Sequence, residues 1–84
     1  MDIKDLIVKR FLELCKKKNI KINELANNSG VTPSTAYSML DEKCRDISIR
    51  TIKKFCDGLE TTLGEFFSTE EFDELEQEIK KKMG

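Results

Sequence analysis

The chain has 84 residues, of which 15 are basic and 16 acidic, and it contains no histidine and no tryptophan. A chain of this size buries only about 60% of its unfolded surface, which allows one small core and excludes a second domain of useful size. The 38% hydrophobic content excludes a disordered chain, and no apolar run is long enough to cross a membrane.

Cysteine usage and the N-terminal residues indicate where the protein works. The N-terminal residues carry charges where a secretory signal needs an unbroken apolar stretch. The three cysteines are odd in number, widely spaced and without a histidine partner, a pattern that favours neither a disulfide framework nor a zinc site. We therefore expect a cytoplasmic protein with reduced thiols, no metal and no cofactor.

The near-zero net charge hides an uneven distribution along the chain. Residues 1–54 hold 12 basic and 7 acidic side chains, whereas residues 55–84 hold 3 basic and 9 acidic ones. A local basic face is enough to collect phosphates when the acidic residues lie elsewhere. The low isoelectric point therefore does not exclude a nucleic-acid partner, although solvated helix faces explain the charge pattern equally well.

Hydrophobic periodicity predicts an all-α fold, since no segment shows sustained period-2 alternation. In the first helix, residues 3–18, an apolar stripe begins at Ile3 and includes Ile7, Phe11 and Leu14. Further helices are predicted over residues 22–28, 33–40, 49–59 and 63–67, and a sixth follows Ser68.

Capping residues support these boundaries. Thr32, Ser48 and Thr62 are good N-caps, and Pro33 occupies a first helical position, where its missing N–H costs nothing. Ser68 and a glutamate three residues later have the spacing of a capping box, which would start the sixth helix.

The segment from residue 22 to residue 41, INELANNSGVTPSTAYSMLD, contains two short helices joined by a tight glycine turn. Ala26 is small where two helices must cross closely, and Gly30 stands where the backbone needs a positive φ. Over residues 7–67 the chain resembles the helix-turn-helix domain of the lambda-repressor/Cro-like family, also called the xenobiotic-response-element type. ELA-x3-GV[ST]-x-ST is the strongest part of the resemblance.

The resemblance implies a five-helix DNA-binding bundle over residues 1–67, to which residues 68–84 add a C-terminal acidic helix. It also implies that the third helix enters the major groove of double-stranded DNA and the second touches its backbone. By position in the motif, base contacts come from Thr32, Pro33, Ser34, Tyr37 and Ser38. Ile22 and Asn23 lie near phosphate.

Helical geometry selects nearly the same face independently. With Ala36 and Met39 turned inward, a period of 3.6 places residues 34, 37, 38 and 41 outside. This face has no Arg, Lys, Asn or Gln, the side chains that make bidentate contacts to purines. Base recognition would therefore depend on hydroxyls, on apolar contacts to thymine methyl groups and on water.

Phosphate neutralisation must then come from outside the third helix. Lys43 and Arg45 in the following loop, together with Lys21 before the second helix, are the best candidates. An exposed polar turn is the structural alternative for the loop pair.

The last helix carries an apolar stripe at Phe72, Leu75, Ile79 and Met83, with the spacing of a two-helix seam. A homodimer contact here would suit a protein that binds two half-sites. Alternatively, the stripe packs on the fifth helix of the same chain, or the acidic helix docks a protein partner, as in small antitoxins.

The remaining chemistry argues against an enzyme. No nucleophile–base pair and no glycine-rich phosphate loop is present. Cys44 lies between two basic residues that would favour its thiolate, which allows a redox-sensitive loop. We therefore expect a DNA-binding transcriptional regulator, with a protein-docking module on the same scaffold as the alternative.

Overall fold

A computed structural model of the chain describes residues 2–76. These residues form six helices and no strand, so the all-α prediction is confirmed. The helices are α1 (Ile3–Lys18), α2 (Ile22–Ser29), α3 (Pro33–Leu40), α4 (Ile49–Gly58), α5 (Leu63–Phe67) and α6 (Glu70–Asp73). None of the described helices has the length and apolar character needed to span a membrane.

The predicted N-caps of α3, α4 and α5 are confirmed. The side chains of Thr32, Ser48 and Thr62 each accept a hydrogen bond from the backbone N–H three residues later. At α1, Asp2 and Asp5 form a reciprocal capping box. These bonds satisfy backbone donors that have no partner inside the helix, which is why the helices begin where the sequence predicts.

Three helices end in a left-handed residue, which reverses the chain sharply. Asn19, Gly30 and Glu60 have φ of 56°, 66° and 57°. In each case the two N–H groups at the turn bond back to carbonyls of the last helical turn, the arrangement of a Schellman motif. The positive φ predicted at Gly30 is thus confirmed, and it fixes the tight turn between α2 and α3.

All five phenylalanines of the protein are linked by successive ring contacts through the core, a series that we call the aromatic chain. Phe11 of α1 contacts Phe55 of α4 and Phe66 of α5, with ring centroids 5.2 and 4.4 Å apart. Phe66 contacts Phe67 at 4.9 Å, and Phe67 contacts Phe72 at 5.0 Å. The aromatic chain therefore joins α1, α4, α5 and α6 into one body.

Small residues allow α2 to approach its neighbours closely. Ala26 and Ala36 are fully buried between α2 and α3. At the end of α4, a Cβ on Gly58 would overlap the Ser29 hydroxyl and lie 3.1 Å from the Ser29 backbone nitrogen. The Ser29 Oγ is buried with no hydrogen-bond partner among residues 2–76, so this contact between α2 and α4 is tight.

Two apolar residues at the start of a helix are exposed. Ile3, predicted in the buried stripe of α1, is 48% exposed, and Ile49 at the start of α4 is 65% exposed. Both stand at the first position of a helix, one turn beyond the core. Next to Ile3, Lys4 is 3% exposed, and its ammonium group donates to the backbone oxygen of Asp41 at 2.9 Å.

The sixth helix differs from its prediction at both ends. Its N-cap is Thr69 rather than Ser68, and no side-chain cap bond forms; the Ser68 hydroxyl instead donates to the Glu65 carbonyl at the end of α5. The helix ends at Asp73, so Leu75 lies beyond it. The rest of the predicted stripe, Ile79 and Met83, lies outside the described residues.

Candidate nucleic-acid interface

The outward face of α3 presents the residues predicted to contact bases. Ala36 and Met39 are buried, and the residues between them and before them face solvent. Thr32, Pro33, Ser34, Tyr37 and Ser38 are all exposed, with Tyr37 at 54%. The structure therefore brings these five residues onto one accessible surface that bears hydroxyl groups and one aromatic ring.

Within this surface, the Thr32 hydroxyl is already partly used. Its Oγ1 accepts the backbone N–H of Thr35 at 3.3 Å and lies 3.0 Å from the Thr35 hydroxyl. Thr35 is itself exposed, and sequence reasoning did not single it out. Capping and base contact compete for the same oxygen at Thr32, whereas the hydroxyls of Ser34 and Ser38 make no hydrogen bond within the described residues.

The start of α2 has backbone N–H groups and two polar side chains that could contact a phosphate. Lys21 and Asn23 are exposed, as a phosphate contact requires. Ile22 is half-buried and packs against the core, so its contribution to a phosphate contact would have to come from its backbone N–H. No side chain caps this helix, so its first N–H groups receive no capping bond from a side chain.

The loop between α3 and α4 is ordered by Asp41. The Asp41 carboxylate accepts the backbone N–H of Lys43 at 2.9 Å, and its backbone oxygen accepts the N–H of Cys44 at 3.0 Å. The Asp41 carboxylate is thereby hydrogen-bonded within the loop, and the Lys43 side chain remains exposed. The loop thus presents an exposed lysine beside three exposed acidic residues, Asp41, Glu42 and Asp46, and of these the Asp41 carboxylate is hydrogen-bonded within the loop.

Arg45, the second predicted phosphate contact of the loop, is bound to acidic residues of α1. Its Nη2 lies 2.5 Å from an Asp2 carboxylate oxygen and 3.4 Å from one of Asp5, and its Nη1 donates to the Glu42 carbonyl at 3.0 Å. The hydrogen bond from Arg45 lowers the pKa of Asp2 below its usual value, and the same contact raises the pKa of Arg45. Sequence reasoning missed this arrangement because the partners lie 40 and 43 positions apart.

The first turns of α3 and α4 have no acidic residue, unlike those of the other described helices. A helix N-terminus carries partial positive charge, which an acidic side chain in the first turn normally offsets. In α4 the opposite occurs, because the exposed Arg50 occupies the first turn. Arg50 was not predicted, although a basic residue two positions after the Ser48 cap was a usable signal.

Three basic residues, in α4 and in the segments that precede α2 and follow α3, form no ion pair within the described residues. Within residues 2–76, ion pairs occupy Lys9, Arg45 and Lys53, but not Lys21, Lys43 or Arg50. Of these three, only Arg50 lies in a first turn without an acidic residue, where its charge and the helix N-terminus both attract an anion such as phosphate.

A different part of the molecule, around α5 and α6, is acidic, and basic side chains of α1 bond to it. Arg10 donates to the carbonyls of Phe66 and Glu65 at 3.0 and 3.1 Å and so caps the end of α5. Lys9 pairs with Glu71 of α6 at 2.6 Å, which raises the pKa of Lys9. Phe72 packs on Phe67, which is the alternative that the sequence left open for this residue.

The three thiols have different surroundings. Cys15 and Cys56 are buried in the core, and burial raises the pKa of both thiols. Cys44 is exposed in the α3–α4 loop. Among the described residues, no group of three or more potential ligands is placed to hold a metal ion.

Comparisons with known proteins match this geometry. A sequence-family model described as Cro/C1-type HTH DNA-binding domain matches residues 10–71. The chain is also similar to the crystal structure of the prophage Lp1 protein 11, with a TM-score of 0.79 and 26% sequence identity. That similarity covers 88% of this chain and 97% of the other. No curated protein matches the chain in sequence.

Proposed function

Because this chain belongs to the Cro/C1-type helix-turn-helix DNA-binding domain family, we propose that it is a sequence-specific transcriptional regulator that contacts bases in the major groove through α3. The accessible and uncharged face of α3, next to helix ends without acidic residues, is the observation that carries this proposal. The base-contacting residues are Thr32, Pro33, Ser34, Tyr37 and Ser38.

Phosphate binding is assigned to the groups that frame α3. Lys21 and Asn23, with the N–H of Ile22, bind the backbone on the α2 side. Lys43 and Arg50 bind it on the α4 side, where the N-terminus of α4 adds its own partial charge. Arg45 joins them only after leaving the carboxylates of α1. The exposure of these side chains supports the assignment.

Specificity on this surface comes from weak individual contacts. Hydroxyl groups accept or donate to several bases, and the ring of Tyr37 suits the methyl group of thymine. No side chain of α3 makes a bidentate purine contact, so discrimination per base pair should fall toward the low end of about 1–3 kcal/mol. Water bridges would supply part of the remainder.

The first experiment is selection of bound sequences from a pool of random duplex DNA at two salt concentrations. We expect an enriched motif and an affinity that falls steeply with salt. Lys43→Gln and Arg50→Gln should each weaken binding to all sequences alike and reduce the salt slope by about one unit.

Lys17→Gln is the matched control, since it removes the same charge from an exposed position in the last turn of α1. It should leave the slope unchanged. Enrichment of no motif, or equal binding by the control and both variants, would contradict the site assignment. Absence of binding even at low salt would favour the alternative of a protein-docking module, with the acidic C-terminal segment as the first surface to examine.

We also propose that the protein acts as a homodimer through its C-terminal stripe, of which Leu75 is the first residue beyond α6. A dimer would bind two half-sites and gain affinity from their spacing. An enriched motif with two-fold symmetry, together with a dimer mass in sedimentation, is the expected result. A non-symmetric motif and a monomer mass, unaltered by Leu75→Asp, would overturn this part.

A further inference from the structure

The first turn of α1 is joined to the α3–α4 loop by two contacts, which we call the clasp. In one, the Lys4 ammonium group donates to the Asp41 carbonyl at 2.9 Å, at the end of α3. In the other, Arg45 binds the carboxylates of Asp2 and Asp5 at 2.5 and 3.4 Å. The clasp ties the start of the chain to the segment that carries the proposed phosphate contacts.

The two contacts differ in how easily they can open. Lys4 is 3% exposed and its bond to Asp41 is partly buried, which holds the end of α3 in place. Arg45 and its two partners are each more than 40% exposed, and a surface pair of this kind is weak and readily exchanged. Lys4 therefore positions the loop, whereas Arg45 can exchange its carboxylate partners for another anion that approaches.

Asp2 and Asp5 do not need Arg45 to hold α1 in place. Their carboxylates form the capping box of α1, in which Asp2 accepts the N–H of Asp5 at 3.1 Å and Asp5 accepts that of Asp2 at 3.3 Å. The bond to Arg45 is additional to this box. Its loss would leave the helix start intact and would free a guanidinium group suited to bidentate phosphate binding.

We propose that Asp2 and Asp5 hold Arg45 in the free protein and yield it to a DNA phosphate on binding, so that these two carboxylates act as an internal competitor of DNA. This inference rests on the proposed function and deepens it. The competitor weakens binding to all sequences alike, because phosphate contacts carry no base information. It thereby lowers non-specific binding without changing which bases are preferred.

A double-mutant cycle tests the exchange. Asp2→Asn with Asp5→Asn keeps the capping oxygens, since asparagine caps as well as aspartate, and removes the competing charges. We expect this double variant to bind DNA about two- to fivefold more tightly than wild type. Arg45→Gln should remove most of that gain when it is combined with the double variant, and it should lower the salt slope by about one unit there.

The cycle separates exchange from general electrostatics. Removal of two negative charges strengthens DNA binding through long-range attraction whether or not Arg45 is present, and that part cancels in the comparison. Glu42→Gln is a second control, because it removes one charge from the same loop while Arg45 contacts only the Glu42 backbone oxygen. An equal gain with and without Arg45, or weaker binding by the double variant, would overturn the proposal.

A spectroscopic measurement provides a readout independent of affinity. In the wild-type protein, the Arg45 Nε–H signal and the Asp2 carboxyl carbon signal should shift together when DNA is added. A shift at Arg45 with no change at Asp2 would contradict the exchange. Wild type that binds no DNA would overturn the proposed function itself, whereas binding without coupling between Arg45 and the carboxylates would overturn only the exchange.

Discussion

Glu60 adopts a backbone conformation that its side chain disfavours. Its φ of 57° lies in the left-handed region, where a Cβ atom crowds the neighbouring carbonyl group. The position closes the Schellman motif of α4, because the Thr61 N–H bonds back to Cys56 at 3.0 Å. Glycine is the usual residue at such a turn.

We therefore expect Glu60→Gly to stabilise the protein. Relief of the backbone strain outweighs the added freedom of glycine in the unfolded chain, for a net gain of about 0.5–1 kcal/mol in the free energy of unfolding. Thermal and urea denaturation would show it as a melting temperature higher by roughly 4 °C.

Asn19→Gly is the matched control for this prediction. Asn19 has nearly the same φ, 56°, but asparagine tolerates the left-handed region better than glutamate does. The gain at residue 19 should therefore be smaller than at residue 60. An equal gain at both positions would show that the glutamate side chain is not the cause.

The neighbouring residues Ile3 and Lys4 show where residue-level prediction failed. Periodicity assigns the buried stripe of α1 from apolar character, so it placed Ile3 inside and ignored Lys4. In the fold, the end of α3 provides a carbonyl acceptor for the ammonium group, and the lysine stem fills the space. That acceptor lies 37 positions away along the chain, where local pattern has no information.

At the scale of one element, α3 is unusual for a helix proposed to contact DNA, because it carries no charge. Its exposed side chains between Pro33 and Leu40 are hydroxyl-bearing residues and Tyr37. Under the proposed function, attraction to DNA must therefore come from other elements, while α3 contributes discrimination. The division of roles predicts different effects for substitutions in α3 and substitutions around it.

Tyr37→Ala should reduce discrimination between sites. The ring is 54% exposed and is not part of the core, so its loss should barely change stability. Preferred and random DNA should become closer in affinity by about 1 kcal/mol or less, with an unchanged salt slope, since no charge is lost. Competition binding with both DNAs would measure this difference.

Two outcomes would contradict the role given to Tyr37. One is a uniform loss of affinity for every sequence, which would indicate a backbone contact. The other is a large drop in melting temperature, which would indicate a structural role. Tyr37→Phe separates the ring from the hydroxyl group, and it should preserve any preference that depends on thymine methyl groups.

Element boundaries were predictable wherever a side chain caps the helix. Thr32, Ser48 and Thr62 each bond three residues onward, and all three helices start as predicted. The cap prediction at Ser68 failed because only two residues separate α5 from α6, so the Ser68 hydroxyl has a carbonyl of α5 within reach. Local capping rules therefore predict the hydrogen-bond partner of a hydroxyl group correctly only where a single helix end is near.

At the scale of the whole molecule, the aromatic chain attaches α6 to the body of the domain. Phe72 lies 5.0 Å from Phe67 and 6.1 Å from Phe66, and it is half-buried. The salt bridge between Lys9 and Glu71 joins α1 to α6 next to Phe72. These contacts assign Phe72 a structural role within one chain.

Phe72→Ala should therefore destabilise the folded chain itself. For a half-buried ring the loss should be about 1–2 kcal/mol, less than for a fully buried phenylalanine. The effect should be the same at high and low protein concentration in urea denaturation, because the contact is intramolecular. Leu75→Ala, beyond the helix, should cost much less.

A destabilisation by Phe72→Ala that grows with protein concentration would contradict this role. It would show that Phe72 contributes to an interface between copies of the chain. Sedimentation of the same variant would then show a loss of dimer.

The sequence by itself determined the helix order, most helix starts, the glycine turn and the accessible face of α3. These features follow from periodicity, capping and left-handed turns, which act between residues a few positions apart. Only the tertiary structure decided the roles of Lys4, Arg45 and Phe72. Their partners lie on other elements, at distances from them that only folding creates.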